Sequence, residues 1–141
     1  MKHAIYICLI LITVFSKLQA QSNDKILTTV AGILTISNNK LFLNNMEIPL
    51  QEDDRKGSLS INSNFITLSN EDVILLQSTF ASAAFYLIVV INKNDYWVSD
   101  FFGTGSDLPE INWDNNKLVL LFPKLHEIGY RTYIYQDLQL R

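Results

Sequence analysis

Hydrophobic positions in this chain come in short runs of β-branched and aromatic residues, and pairs of asparagines separate these runs. Residues 33–37 and 41–43 flank the pair 38–39, and the run 118–122 follows the pair 115–116. Asparagine accepts a positive φ more readily than any residue except glycine, and two-residue hairpin turns of the primed type need that conformation. The pattern therefore predicts a mainly β fold: an antiparallel meander that forms a small sandwich or a partly open barrel, with room for one short helix.

One segment, residues 84–91, is apolar or aromatic at every position and ends at the polar stretch 92–95. Strands that are buried on both faces have this composition, whereas half-exposed strands alternate. We therefore expect 84–91 to be a central strand, with a second sheet layer or one short helix over its other face. Residues 26–31 and 124–129 are the candidates for helical or irregular structure.

The longer stretch 73–91 carries no charged side chain and is long enough to span a membrane as a helix. Three structures fit it: a hairpin of two strands, an amphipathic helix that begins at Asn70, and a spanning helix that would make this a single-span membrane protein. Residues 77–79 and Ser82 are polar, and in a bilayer their polar groups would lose water. The hairpin, with strands over 73–77 and 84–91, is therefore favoured.

The C-terminal run alternates with a period of two, which is typical of a strand with one buried face. One parity carries Tyr130, Thr132, Ile134, Leu138 and Leu140, and the other carries Arg131, Tyr133, Tyr135, Asp137 and Arg141. Because the first set is more apolar, we expect one strand over 130–141 that buries this set. The opposite face would then display Tyr133 and Tyr135 among charges.

The first twenty residues have the layout of a cleaved secretory signal. Lys2 gives a basic start, residues 4–15 are uncharged and apolar, and Ala20 is the small residue before the expected cut. We therefore expect a signal helix over 1–20, a single β-rich domain over 21–141, and a periplasmic or secreted location. The only cysteine, Cys8, would leave with the signal, so the mature domain would contain no disulfide.

The charge balance argues against a nucleic-acid partner. The chain has 11 Lys and Arg residues against 14 Asp and Glu residues, and removal of Lys2 and Lys17 with the signal leaves 9 against 14, a net charge of −5. Nucleic-acid-binding domains present basic patches, and no basic tract is present. We predict no nucleic-acid partner and no stable membrane insertion after cleavage.

Catalytic patterns are weak in this sequence. After signal cleavage His126 would be the only histidine, so one chain could not supply a histidine metal cluster. A triad of His126, Ser106 and either Asp107 or Glu127 lacks the strand-to-helix elbow and a visible oxyanion donor. The sequence therefore predicts a protein that is not an enzyme and that uses no cofactor.

Metal-binding and phosphate-binding patterns are also weak. Asp100, Asp107, Glu110 and Asp114 lie near one another in sequence but lack the alternating spacing of a calcium loop. The loop 103–106 lacks the third glycine of a dinucleotide fingerprint and the lysine of a nucleotide loop. We interpret it as a glycine-assisted corner between strands, in which Asp107 caps the turn.

The stretch Phe102-Gly103-Thr104-Gly105-Ser106-Asp107-Leu108-Pro109, followed by a strand, an asparagine turn and the run 117–123, resembles a pattern of small exported bacterial proteins of unassigned function. The resemblance covers residues 72–123. It implies a β-rich fold and an extracytoplasmic location, and it implies no catalytic residues. The pattern has cysteines near Ala83 and at the position of Gly105, which look like a disulfide, and this chain has neither.

Aromatic side chains on the predicted strands are the main binding candidates, because exposed Tyr and Trp supply rigid contact area. The alternative for the same residues is cross-strand packing that only stabilises the sheet. We predict an exported, non-enzymatic binding module that contacts a protein partner, inhibitor-like or immunity-like. The alternative is a carbohydrate-binding module that stacks a glycan on Trp97 or Trp113. The candidate partner-binding residues are Tyr133, Tyr135, Trp97, Trp113, Ser106 and Asp107.

Overall fold

Three antiparallel sheets of four strands each build the part of the chain that the structure describes. A computed structural model describes residues 25–51, 57–103, 108–124 and 128–141. The N-terminal sheet contains β1 (Ile26–Thr29), β2 (Gly32–Ser37), β3 (Lys40–Leu43) and β4 (Met46–Ile48). The central sheet contains β5 (Ser58–Ile66), β6 (Asp72–Phe80), β7 (Ala83–Ile91) and β8 (Tyr96–Val98). The C-terminal sheet contains β9 (Glu110–Asp114), β10 (Lys117–Pro123), β11 (Tyr130–Gln136) and β12 (Gln139–Leu140). Each sheet is a meander of consecutive strands, which confirms the antiparallel β prediction.

The central sheet lies between the other two sheets, and alternate residues of β6 and β7 point to its opposite faces. An aliphatic layer on the N-terminal-sheet side contains Leu34, Ile36, Leu41, Ile48, Leu59, Ile61, Ile74, Leu76, Leu87, Val89 and Ile91. An aromatic layer on the C-terminal-sheet side contains Val73, Leu75, Ala84, Tyr86, Ile88, Val90, Phe102, Leu118, Leu120, Phe122 and Tyr135. The expectation that 84–91 is covered on both faces is therefore confirmed, and sheets supply both covers.

Asparagine turns connect several of these strands. Asn38 and Asn39 join β2 to β3 with φ of 51° and 60°, as predicted. Asn44 and Asn45 join β3 to β4 in a turn of the same kind, with φ of 50° and 67°. Asn115, with φ of 49°, lies in the predicted turn between β9 and β10. Asparagine therefore sets the spacing of the meander at three of its turns.

The loop between β7 and β8 closes through a side chain. The Oδ1 atom of Asn92 accepts hydrogen bonds from the backbone nitrogens of Asn94 (2.9 Å) and Asp95 (2.8 Å). The backbone nitrogen of Asn92 also donates to the Asp95 carbonyl, 3.0 Å away. This Asx-type arrangement holds the loop between β7 and β8 in one conformation.

The hairpin prediction for 73–91 is confirmed, with longer strands than expected. β6 and β7 pair over their full length from Asp72↔Ile91 to Phe80↔Ala83. The predicted amphipathic helix from Asn70 and the predicted spanning helix over 73–91 are wrong, because residues 72–80 and 83–91 form two strands. Among the described residues, no helix has the length and hydropathy to cross a membrane.

Two other expectations for the ends of the chain need correction. The segment 26–31 is not helical, since its first four residues form β1. The run 130–141 is two strands, because Asp137 and Leu138, with φ of 51° and 59°, form a turn between β11 and β12. Asp adopts a positive φ more readily than most residues, but Leu rarely does, so only Asp137 marks this turn in the sequence. The predicted signal over 1–20 and residues 125–127 of the segment 124–129 lie outside the described residues.

A buried carboxylate connects the N-terminal sheet to the central sheet. Asp72 is 2% exposed. Its Oδ2 atom accepts a hydrogen bond from the backbone nitrogen of Val30 (2.7 Å), and its Oδ1 atom accepts one from Nδ2 of Asn64 (3.1 Å). Buried polar groups need such partners, so this carboxylate ties the turn between β1 and β2 to the start of β6 in the central sheet.

Candidate functional site

Tyr133 and Tyr135 face the core, so the prediction that both are displayed to solvent is wrong. Tyr135 is 3% exposed, and Tyr133 packs against the same aromatic layer. The register of β11 on β10 is the cause: Tyr135 lies opposite Leu118 and Tyr133 opposite Leu120, and both leucines are fully buried. Opposite residues of an antiparallel pair share one face, so a shift of one residue would exchange the two faces.

The two tryptophans lie at the sides of the aromatic layer, and both are half-buried. The ring of Trp113 stacks on Phe65, with centroids 5.0 Å apart and an interplanar angle of 21°. The ring of Trp97 lies 5.7 Å from that of Tyr135. Each indole has one face against a neighbouring ring, and these contacts join the central sheet to the C-terminal sheet. The arrangement favours the packing alternative for both tryptophans.

Several candidates lie outside the described residues: Ser106, Asp107, His126 and Glu127. Their predicted roles stay predictions. Gly103 is described and has φ of 115°, which agrees with a glycine-assisted corner at that residue. The acidic residues Asp100, Glu110 and Asp114 are also described. Within the described ranges, no group of three or more His, Cys, Asp or Glu side chains could hold a metal ion.

Two tyrosines of the aromatic layer have phenols of raised pKa. Burial raises the pKa of Tyr86 from 10.0 to about 12. Its hydroxyl has no hydrogen-bond partner among the described residues. Burial also raises the pKa of Tyr135, while a backbone hydrogen bond with Leu138 lowers it and the charges of Glu71 and Asp137 raise it. Both phenols therefore keep their protons at neutral pH and neither resembles an activated nucleophile.

The residues that β10 and β11 turn outward are mostly apolar, and four of the six are half-buried. Three cross-strand pairs build this surface, and we name these six residues the outer stripe: Val119↔Ile134, Leu121↔Thr132 and Pro123↔Tyr130. Tyr130 is 58% exposed, and Thr132 is exposed. The sequence indicates this surface through the run 118–122, in which every residue is apolar. Alternate residues of a strand face opposite sides, so one apolar side of β10 must face outward. Contiguous apolar patches of this kind mark interaction sites.

Beside the outer stripe, the edge of β11 is open. β12 covers only its last part, where Ile134 and Arg141 exchange two backbone hydrogen bonds of 2.9 Å each. Because hydrogen-bonded pairs alternate along an antiparallel ladder, the backbone groups of Thr132 and Tyr130 point to the same side as those of Ile134. No strand in the described part of the chain pairs with Thr132 or Tyr130 on that side.

Other edge strands in the described ranges carry features that discourage pairing. β5 has a bulge after Ile61, and the Asn39 side chain accepts a hydrogen bond from the backbone nitrogen of Leu59 at 3.3 Å. β9 presents Glu110 and Asp114 at its ends. β1, β4 and β8 contain only 4, 3 and 3 residues. Bulges, charges and short strands are the usual means of protecting an edge. The open stretch of β11 has no bulge, and Arg131 is its only charged residue.

No protein-family model, curated protein or solved structure matches this chain. The resemblance of residues 102–109 to small exported proteins therefore stays a prediction. What the chain can do follows from the geometry described above, in which the open edge and the outer stripe adjoin each other.

Proposed function

We propose that this chain is an exported, non-enzymatic binding module that contacts a protein partner through the open edge of β11 and the outer stripe. The observation that carries the proposal is that the outer stripe meets, at Tyr130 and Thr132, backbone groups with which no described strand pairs. A partner that adds an extended strand there would pair with the backbone. Its side chains on the solvent side would lie against the stripe.

Energetics favour a strand as the occupant of this edge. Each net hydrogen bond contributes about 0.5–1.5 kcal/mol, and main-chain pairing alone does not distinguish sequences. The outer stripe would supply selectivity, since an added strand places alternate side chains next to Tyr130 and Thr132.

The test removes one backbone hydrogen-bond donor and leaves the fold intact. Thr132→Pro deletes the N–H group that faces the open edge, and proline is tolerated on an edge when its missing N–H faces solvent. The matched control is Thr132→Val, which keeps the N–H group. We expect the affinity of the proline variant for the partner to fall at least tenfold, or about 1.4 kcal/mol. The valine variant should bind as the wild type does.

The partner itself is found by a photoactivatable residue placed at position 132 and, as a control, at Thr35 on the outer face of the N-terminal sheet. We expect a cross-linked protein from position 132 alone, with the cross-link in an extended segment of that protein. Equal capture from Thr35, or equal binding by the proline and valine variants, would contradict the proposal.

A further inference from the structure

The loop 92–95 separates two depressions at the end of the sandwich opposite Tyr130. The first has a volume of about 350 Å³, and Met46 and Tyr96 contribute to its wall. The second has a volume of about 500 Å³ and is lined by Asn70 and Glu71, among others. The loop lines both depressions, and each volume lies in the range of small-ligand sites.

Tyr96 offers an aromatic surface that the two tryptophans do not. It is 40% exposed, and the neighbouring Met46 is 70% exposed. Trp97 and Trp113 each have a ring face against another aromatic side chain. The apolar C–H face of a sugar ring can stack on a phenol ring, which combines an apolar body with a polar tip.

The polar wall beside Tyr96 is already ordered. The side chain of Asn92 closes the loop, and Oδ1 of Asp95 accepts a hydrogen bond from the backbone nitrogen of Tyr96 at 2.8 Å. The Asn94 side chain makes no hydrogen bond to any described residue and lines both depressions. An amide both donates and accepts, as sugar hydroxyls do, and a loop held in advance lowers the entropy cost of binding.

The charges around the loop select against an anionic ligand. Glu71 and Asp95 line the second depression, and Lys93 is the single cation there. Glu47 lines the first depression, but one of its oxygens is paired with Lys40 at 2.9 Å. A ligand without charge meets no repulsion from these carboxylates.

We propose that this end of the molecule binds a neutral oligosaccharide, with one sugar ring stacked on Tyr96 and hydroxyl groups hydrogen-bonded to Asn94 and the loop 92–95. The site shares no residue with the outer stripe, so it is independent of the protein-binding function proposed above. It moves the aromatic platform of a glycan site from Trp97 and Trp113 to Tyr96.

The experiment is a titration of the isotope-labelled full chain with five hexasaccharides, followed by backbone amide NMR. Four are neutral, namely cellohexaose, xylohexaose, mannohexaose and chitohexaose, and one, hexagalacturonate, is anionic. We expect at least one neutral sugar to shift the amides of 92–96. Tyr96→Ala should weaken that binding at least tenfold, and Tyr96→Phe, which keeps the ring, should retain it. Tyr130→Ala is the matched control at the opposite end and should bind as the wild type does.

A second variant keeps the proposal testable if Tyr96→Ala does not fold. Asn94→Ala removes a side chain that makes no hydrogen bond to a described residue, so the fold should stay intact while binding weakens about threefold, or roughly 0.7 kcal/mol. The proposal is overturned if no neutral hexasaccharide shifts these amides or if only hexagalacturonate does. It is also overturned if Tyr96→Ala, once folded, or Asn94→Ala binds as tightly as the wild type.

Discussion

The two hydrophobic layers of this protein differ in chemistry although the same two strands, β6 and β7, contribute to both. The buried cluster between the N-terminal and central sheets contains only Leu, Ile and Val. The cluster between the central and C-terminal sheets contains Tyr86, Phe102, Phe122 and Tyr135, and half-buried aromatic side chains pack at its sides. Strand periodicity therefore builds two cores from one hairpin. The aromatic residues of the second core come from both sides: Tyr86 from β7 and Phe102 beside it, and Phe122 and Tyr135 from the C-terminal sheet.

The difference has a consequence for polar atoms. The aliphatic layer has its carboxylate, Asp72, held by two hydrogen bonds at its edge. The aromatic layer holds the hydroxyl of Tyr86, which lacks a partner among the described residues. An unsatisfied buried hydroxyl costs free energy that a satisfied one does not. The aromatic layer thus combines larger packing surfaces with the cost of one unsatisfied hydroxyl, and three predictions test this contrast.

The largest expected effect is at Phe122 in the aromatic layer. Its ring lies 5.2 Å from Tyr86, 6.3 Å from Phe102 and 5.5 Å from Tyr133 between centroids. Phe122→Ala should lower the free energy of unfolding by about 3–5 kcal/mol, measured by urea unfolding. It should cost more than Leu76→Ala in the aliphatic layer, because each lost aromatic pair adds about 0.5–1.5 kcal/mol. If Leu76→Ala lowered the free energy of unfolding by as much or more, the extra stabilisation that we assign to the aromatic pairs would be contradicted.

A smaller effect is expected at Asp72, which links the aliphatic layer to β1. Asp72→Ala leaves the backbone nitrogen of Val30 and the amide of Asn64 without their acceptor. We expect a loss of about 2–3 kcal/mol in the free energy of unfolding. Asp72→Asn keeps one acceptor and should cost less. A loss within about 0.5 kcal/mol, the range of surface substitutions, would show that this carboxylate does not hold the sheets together.

The smallest effect is the pH dependence due to Tyr86. Below pH 10 both folded and unfolded states keep the phenolic proton, so stability does not change on its account. Between pH 10 and about 12 the unfolded state loses the proton first, so the free energy of unfolding falls as the pH rises. The loss should reach about 1.4 kcal/mol at pH 11.

The control for this prediction is Tyr86→Phe, which has no proton to lose. The difference between wild type and variant isolates Tyr86 from Tyr135, whose raised pKa acts in the same direction. At neutral pH the variant should also gain roughly 1 kcal/mol, since it removes the unpartnered hydroxyl. Equal losses of stability in both proteins between pH 9 and pH 11 would contradict the assignment.

Much of the fold could be predicted from local patterns. The pair 38–39 and the residue Asn115 occupy predicted turns, and the uncharged stretch 73–91 folds back as a hairpin. The candidate site was predicted less well. Tyr133 and Tyr135 were expected on the solvent face, and their neighbours Tyr130 and Thr132 lie there instead.

The sequence by itself determined the features that depend on neighbours along the chain. These are the turns where asparagine adopts a positive φ and the burial of 84–91 on both faces. Only the tertiary structure decided which parity of β11 is buried, because β10 is apolar on both of its sides and the pairing Leu118↔Tyr135 selects the face. The same holds for the open edge beside Thr132 and for the exposure of Tyr96. Both depend on which strands and sheets pack against each other, and these contacts join segments that are far apart in sequence.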